Sequence, residues 1–189
     1  MKNTPHTGFK TRLSLRRSKL GFTLVELLVT ISVGALLMVV AVPSFIAFQR
    51  NSQLSEAVSN FIGATNAARA NAMKQGVNTY LVPNSGTDWS SGWKVFTDVN
   101  WNQSYDDGPA ALVLNHESLN SSIAITIPTT SSFADGYVLF NGSGYPRLKN
   151  GGFGGGTLVM NNGTRSTSII INPTGRVRSC KTGSTGCDN

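Results

Sequence analysis

A long apolar run lies close to the N-terminus of this chain and limits the folds that it can adopt. Residues Leu24–Val42 read LVELLVTISVGALLMVVAV and contain a single charged residue, Glu26. As an α-helix this run extends for roughly 28 Å, which matches the hydrocarbon core of a bilayer. A secretory signal peptide is the competing interpretation, but its apolar stretch is usually shorter and is followed by a small-residue cleavage site. The run therefore predicts one membrane-spanning helix.

The charge of the chain is concentrated at its two ends. Residues 1–21 hold six basic residues and no acid, so they contribute +6 to the formal net charge of +7. Because basic residues flank membrane helices on the cytoplasmic side, the N-terminus is predicted to be cytoplasmic. Residues 22–146 have a net charge of −4, whereas residues 147–189 have one of +5. Apart from residues 1–21, the basic part of the chain is therefore its C-terminal quarter.

Helical periodicity continues beyond the apolar run and then gives way to that of strands. From Ser44 to Lys74 the apolar residues recur at three- and four-residue spacing, which predicts an amphipathic helix that packs on the globular domain. Pro43 is expected to bend or interrupt the join, and Gly76 to end the helix. The GGFGGG stretch at 151–156 is predicted as a loop or hairpin tip. Short strands are predicted at Val77–Val82, Trp93–Thr97, Ala111–Leu114, Ile123–Ile127, Tyr137–Phe140, Thr157–Met160 and Thr167–Ile171.

This pattern predicts an α+β fold. A long N-terminal helix, membrane-spanning in its first half and amphipathic in its second, is expected to pack on a C-terminal domain rich in antiparallel β-strands. The two cysteines, Cys180 and Cys187, lie near the C-terminus, and without a further Cys or His nearby they make a poor zinc site. In an oxidising compartment they are expected to form a disulfide, which would stabilise its short loop by about 2–3 kcal/mol. A pair of free thiols is the alternative.

The sequence GFTLVE at residues 21–26 follows the basic segment and opens the apolar run. It resembles the type III signal of type IV pilins and type II secretion pseudopilins, in which prepilin peptidase cuts after the glycine and methylates the new N-terminus. The resemblance implies cleavage between Gly21 and Phe22, and N-methylation of Phe22. It also implies four segments: a leader at 1–21, a transmembrane helix at 22–43, an amphipathic helix at 44–76 and a periplasmic β-rich domain at 77–189.

Glu26 is the charged residue of the membrane-spanning run. A carboxylate one turn into a membrane helix is costly and is usually functional. It lies four residues from the new amine of Phe22 and is expected to pair with that positive charge between subunits during filament assembly. The alternative is a carboxylate that only reaches back to the lipid headgroups.

A turn and a pair of arginines mark the C-terminal region. The sequence Asn172-Pro173-Thr174-Gly175 suits a β-turn. Arg176 and Arg178 follow in an extended segment, where they share a face with Cα atoms roughly 6.6 Å apart, close enough to grip neighbouring phosphates. The alternative role for two such arginines is to prevent edge-to-edge pairing of an edge strand.

The helix, the β-rich domain and the ending SIIINPTGRVR at residues 168–178 resemble the GspH/FimT branch of minor pilins and pseudopilins. Gly175-Arg176-Val177-Arg178 resembles the GRxR motif of FimT-type minor pilins, which bind DNA during natural transformation. The resemblance implies that Arg176 and Arg178 contact DNA and that Gly175 presents them. Lys181 is expected to add a third cation, and Arg147, Lys149 and Arg165 would join if the fold brings their hairpins alongside.

Several other features are set aside. Asp98 to Asp107 faintly resembles a calcium loop, but Gln103 stands where that loop needs Gly and Pro109 where it needs Glu, so an Asx-rich turn is predicted. The tryptophans Trp89, Trp93 and Trp101 are expected in the core, with a role as binding platforms as the alternative. His116 is the one histidine after the leader, and nothing around it indicates a catalytic group, so neither an enzyme nor a cofactor is predicted.

The resemblance implies three possible functions. The first is a minor type IV pilin that binds DNA of any sequence for uptake in natural transformation. Three phosphate contacts are expected, which imply about a 40-fold loss of affinity over a fourfold rise in salt. The second is a minor pseudopilin of a type II secretion system, which acts as a structural tip subunit. The third is a pilus-priming subunit without a DNA role. In each case the chain would be held in the inner membrane before it joins other subunits.

Overall fold

Helix α1 begins at Leu24 and ends at Gln75. The computed structural model describes residues 21–105, 111–129 and 131–187. Residues 1–20 of the expected leader lie outside the described residues, as do Asp106, Asp107 and Pro109 of the segment that starts at Asp98, named here the acidic loop. The chain divides into two units with a boundary between Pro43 and Ser44.

The described part of the first unit is the apolar beginning of α1. Among the described residues, α1 is the one helix that is long and apolar enough to cross a membrane, and none of its most apolar segment is buried within the protein. Pro43 lies inside α1, so the helix is not interrupted there. A proline removes one backbone hydrogen bond from a helix, and the turns on either side keep theirs. Gly76 follows the last helical residue with a φ of 72°, which only glycine adopts without strain.

The second unit contains two antiparallel sheets. In the first, the strand order is β3-β2-β1-β5-β6, and in the second it is β4-β7-β8-β9. The strands of the first sheet are β1 Thr79–Ser85, β2 Asp88–Thr97, β3 Leu112–His116, β5 Val138–Phe140 and β6 Pro146–Arg147. Those of the second are β4 Ala124–Thr126, β7 Gly156–Asn161, β8 Ser166–Ile171 and β9 Val177–Lys181, and a short 3₁₀ helix occupies Ser132–Asp135.

The core lies between the second half of α1 and both sheets. Leu54, Phe61 and Ala68 are on the buried side of α1, at the spacing predicted for an amphipathic helix. They pack with apolar side chains from the first sheet, such as Val95, and from the second, such as Ile169. Aromatic rings fill the centre, where Phe61 meets three partners edge-on or tilted, with centroids 5.0–5.9 Å apart: Trp89, Trp93 and Phe133.

The predicted α+β fold is confirmed, and each of the seven predicted strands is present with shifted ends. The structure adds β6, and it makes the extended segment after Arg176 a strand, β9. Residues 151–155 of the glycine-rich stretch are a loop, as predicted, whereas Gly156 begins β7, and the loop is fastened to β6. There the Gly154 amide donates to the Pro146 carbonyl at 3.0 Å, and Phe153 forms an isolated β-bridge with Arg147.

Candidate functional site

The turn between β8 and β9 sets the direction of the two arginines. The Asn172 side chain organises it, since its Oδ1 atom accepts hydrogen bonds from the Arg176 amide at 2.9 Å and the Thr174 hydroxyl at 2.7 Å. Gly175 has a φ of 81°, and its amide donates to the Asn172 carbonyl at 2.8 Å. A turn followed by a left-handed glycine is a common hairpin connection. The turn predicted from the sequence is therefore present.

Arg69 of helix α1 fastens this turn to the body of the domain. Its Nη1 atom donates to the Gly175 carbonyl at 3.1 Å, and its Nε atom donates to the Gly144 carbonyl at 3.0 Å. One planar guanidinium thus joins the helix to two turns that are far apart in the sequence. Arg69 could not be predicted as part of a site from the sequence, because a single arginine in an amphipathic helix gives no signal of its partner.

Arg176 and Arg178 line one cleft on the second sheet. Arg176 is exposed just before β9, whereas Arg178 is half-buried within β9. The Nη1 atom of Arg178 donates to the Gly186 carbonyl at 2.7 Å, which fixes the direction of its side chain. A guanidinium has five N–H donors, so the remaining ones stay available to a ligand such as a phosphate.

The opposite wall of the cleft is the glycine-rich loop. The cleft has a volume of about 600 Å³, and Ile170 contributes to its lining between the two walls. Phe153 lines the same cleft and is 69% exposed. The Arg147 guanidinium lies over the Phe153 ring, 4.6 Å from its centroid, which is a cation–π contact. Arg147 therefore contacts a residue of the cleft, Phe153, without lining the cleft itself. Phe153 was predicted only as part of a loop.

The other predicted cations lie elsewhere. Lys149 Nζ lies 5.1 Å from the centroid of the Tyr137 ring and 5.9 Å from that of Tyr80, on an aromatic cluster of the first sheet. Arg165 and Lys181 line a different cleft, beside the turn between β7 and β8. Lys181 pairs with Thr167 at that end of β9, and its position in the strand alternates with the face that carries Arg178. The fold therefore does not bring these three cations into the cleft with Arg176 and Arg178.

Cys180 and Cys187 form the predicted disulfide. Their Cα atoms are 5.8 Å apart, and Cys187 is buried. The loop that the disulfide closes contains Gly186, whose carbonyl accepts the Arg178 hydrogen bond. The disulfide thus holds the acceptor that orients one arginine of the cleft.

The N-terminal motif occupies the first turn of α1. Phe22 is 77% exposed, and Gly21 precedes the helix in an irregular segment. The Glu26 amide donates to the Thr23 hydroxyl at 3.2 Å, which is an N-cap hydrogen bond. The Glu26 side chain is exposed on the helix surface. No prediction about cleavage, methylation or assembly is tested by this geometry.

The features set aside have structural roles in the described residues. Asp98 is buried, and its carboxylate accepts the amides of Asn102 and Gln103 at 3.0 and 3.1 Å, so the loop is held by Asx-type bonds. Trp89 and Trp93 are core residues, but the same prediction for Trp101 was wrong, because it lies in this loop and is 61% exposed. His116 stacks on Trp93 with ring centroids 4.2 Å apart. Within the described ranges, no group of three or more His, Cys, Asp and Glu could hold a metal ion.

Two pKa shifts occur away from the cleft. Burial raises the pKa of Tyr80 to about 12, with the Asp98 carboxylate and Tyr137 as further causes. Hydrogen bonds from the Ser90 hydroxyl and amide lower the pKa of Asp88. Both groups belong to the first sheet, so neither tunes the cleft.

Comparisons with known proteins agree with this architecture. The prokaryotic N-terminal methylation motif matches residues 16–42, and the type II transport protein GspH family matches residues 57–175. A comparison with curated proteins gives no match.

Solved structures include similar folds. The type IV minor pilin FimU of Pseudomonas aeruginosa strain PAO1, in space group P21, gives a TM-score of 0.53 at 16% identity, covering 69% of this chain and 90% of FimU. A second FimU crystal form, P65, gives 0.52 at 14% identity, with 69% and 98% covered. The minor pseudopilin EpsH of the Type 2 Secretion System of Vibrio cholerae gives 0.49 at 9% identity, with 70% and 99% covered. At these identities the likeness to FimU shows the fold alone.

Proposed function

This chain belongs to the family of the type II transport protein GspH, and from that premise we propose that it is a minor type IV pilin that binds DNA without sequence preference for uptake in natural transformation. The observation that carries the proposal is the cleft in which Arg176 and Arg178 converge. Guanidinium groups with free donors suit phosphate oxygens, and contacts to phosphates carry no sequence information.

The chain's first half fits the same proposal. Prepilin peptidase would remove residues 1–21 and methylate Phe22, in accord with the match of the N-terminal methylation motif. The apolar part of α1, within residues 22–43, would hold the protein in the inner membrane as a single pass. The amphipathic segment 44–76 and the domain 77–189 would then lie in the periplasm, where the protein would join other pilin subunits.

The expected strength of binding follows from the number of phosphate contacts. Two arginines in one cleft imply a salt slope of roughly −1.8, hence about a 12-fold loss of affinity over a fourfold rise in salt. A third contact from Lys181, as first expected, would give about a 40-fold loss. Because Lys181 lines a different cleft, we expect the smaller value. Several copies in one filament would strengthen such a grip through avidity.

The test is a titration of a fluorescent duplex of mixed sequence with the full chain in detergent micelles, at two salt concentrations. The double variant Arg176→Ala/Arg178→Ala should lose most of the salt-sensitive binding. Arg165→Ala/Lys181→Ala is the matched control, since it removes the same charge from the other cleft. If both double variants weaken binding equally, or if the wild type does not bind, the proposed cleft is wrong.

The second candidate function is a GspH-like minor pseudopilin, which acts as a structural tip subunit of a type II secretion system. The family match itself favours it. It shares the helix and the fold with the first candidate, and therefore predicts no salt-sensitive DNA binding in the same titration.

A further inference from the structure

Phe153 is an exposed aromatic residue on a wall of the arginine cleft. Phe153 is 69% exposed, although the loop that carries it is fastened on both sides of the ring, to Pro146 of β6 and to Leu148 just after β6. The Leu148 amide donates to the Gly152 carbonyl at 2.9 Å, and the Gly154 amide donates to the Pro146 carbonyl at 3.0 Å. The loop therefore holds a large apolar side chain at the surface, where its burial against a partner would be favourable.

The Phe153 ring is also supported from one side. Arg147 forms a β-bridge with Phe153, and its guanidinium lies 4.6 Å from the ring centroid. A ring that is covered on one side and still mostly exposed has its other face open to solvent. A supported ring with one open face is suited to stack on another planar group, because little conformational entropy is lost on contact.

The surroundings of the open ring are cationic. Phe153, Arg176 and Arg178 line the same cleft, whose volume of about 600 Å³ lies within the usual range of small-ligand sites. An aromatic platform beside arginines that hold a backbone is the common arrangement in proteins that bind single-stranded nucleic acid, where successive bases stack on side chains.

We propose that Phe153 stacks on an unpaired base of a DNA segment whose phosphates Arg176 and Arg178 hold. The inference rests on the proposed function, since it adds a base contact to the same cleft. In a closed duplex the bases are stacked on one another and are not free to meet the ring. The cleft therefore prefers single-stranded DNA, frayed ends or nicks to an intact duplex.

The experiment compares two oligonucleotides of equal length, oligothymidine and an abasic strand with the same phosphates, in titrations with the full chain in detergent micelles. The wild type should bind oligothymidine at least about fivefold more tightly, which is the lower end of a single stacking contact. Phe153→Leu should abolish that preference, and Phe153→Trp should keep or increase it. Trp101→Leu is the matched control, since Trp101 is also exposed but lies in the acidic loop.

The outcomes separate this inference from the proposed function. Equal binding of both oligonucleotides by the wild type, or a preference that survives in Phe153→Leu, overturns the stacking contact. If Arg176→Ala/Arg178→Ala still weakens binding in that case, the proposed function stands without it. If no DNA binds at all, both fail. A loss of co-purified pilin subunits in Phe153→Leu, with unchanged binding of oligothymidine, overturns the inference in favour of a protein contact.

Discussion

Among single residues, Gly175 determines how the arginine pair is presented. Its φ of 81° belongs to the left-handed region, where a side chain costs about 1–2 kcal/mol. A Cβ atom at this position would also lie 2.6 Å from the Gly144 carbonyl oxygen and 3.1 Å from the Arg69 Nε atom. The glycine of the GRxR sequence is thus required for two separate reasons, backbone conformation and close approach.

This pair of reasons gives a prediction with an internal control. Gly175→Ala should lower the free energy of unfolding by at least about 1 kcal/mol more than Gly183→Ala does. Gly183 has a similar φ of 77°, but nothing lies within 4 Å of its Cβ position, so that variant reports the backbone strain alone. Urea denaturation followed by circular dichroism measures both changes. Equal losses would show that the turn can move away from Gly144 without cost.

The residues of the cleft were only partly predictable from the sequence. Arg176 and Arg178 follow a recognisable turn within the same short segment, so their shared face could be read from strand alternation. Arg69 and Phe153 are separated from that turn by many residues, and their contributions depend on tertiary contacts. For Phe153 a signal existed, because a lone aromatic residue among five glycines is unusual for a mere linker.

Among the elements, helix α1 and the turn between β8 and β9 are joined by Arg69. We expect Arg69→Gln to lower the free energy of unfolding by about 2 kcal/mol, since it leaves three carbonyl groups, those of Gly144, Thr174 and Gly175, without their charged donor. Arg69→Lys should restore little, because a single ammonium does not reproduce the planar fork that reaches all three carbonyls. Lys74→Gln removes the same charge from an exposed position of α1 and serves as the control. Equal stability of Arg69→Lys and the wild type would contradict the prediction.

The strands show why local patterns give elements but not their arrangement. Short strand-like runs between clusters of turn residues located seven strands, yet β1 pairs with β5 in a register that joins Thr79 to Phe140, which no local pattern encodes. β6 has only two residues, too few for a period of two to be visible. The division into two sheets could not be predicted from local patterns, because it depends on how both sheets pack on α1.

Across the whole molecule, the basic C-terminal quarter separates into three places. Arg176 and Arg178 lie in one cleft with Arg147 behind Phe153, Lys149 lies on the tyrosines of the first sheet, and Arg165 and Lys181 line a second cleft. Net charge in a sequence segment thus overestimates the charge that one ligand meets. For this reason we expect two phosphate contacts and not three, and therefore a weaker dependence of DNA affinity on salt concentration.

Glu26 lies in the apolar part of α1, and its effect is expected in assembly of the filament. In a membrane or a filament interior, an unpaired carboxylate is costly, whereas a pair with the methylated amine of Phe22 on a neighbouring subunit would compensate that cost. We therefore expect Glu26→Val to be inserted and processed normally, but its amount in sheared filaments should fall at least about tenfold, since breaking such a pair costs several kcal/mol.

Glu56→Gln changes an exposed carboxylate farther along the same helix and should assemble like the wild type. Immunoblots of membrane and filament fractions, with mass spectrometry of the N-terminal peptide, measure assembly and processing separately. Wild-type amounts of Glu26→Val in filaments would show that the carboxylate has no role in assembly.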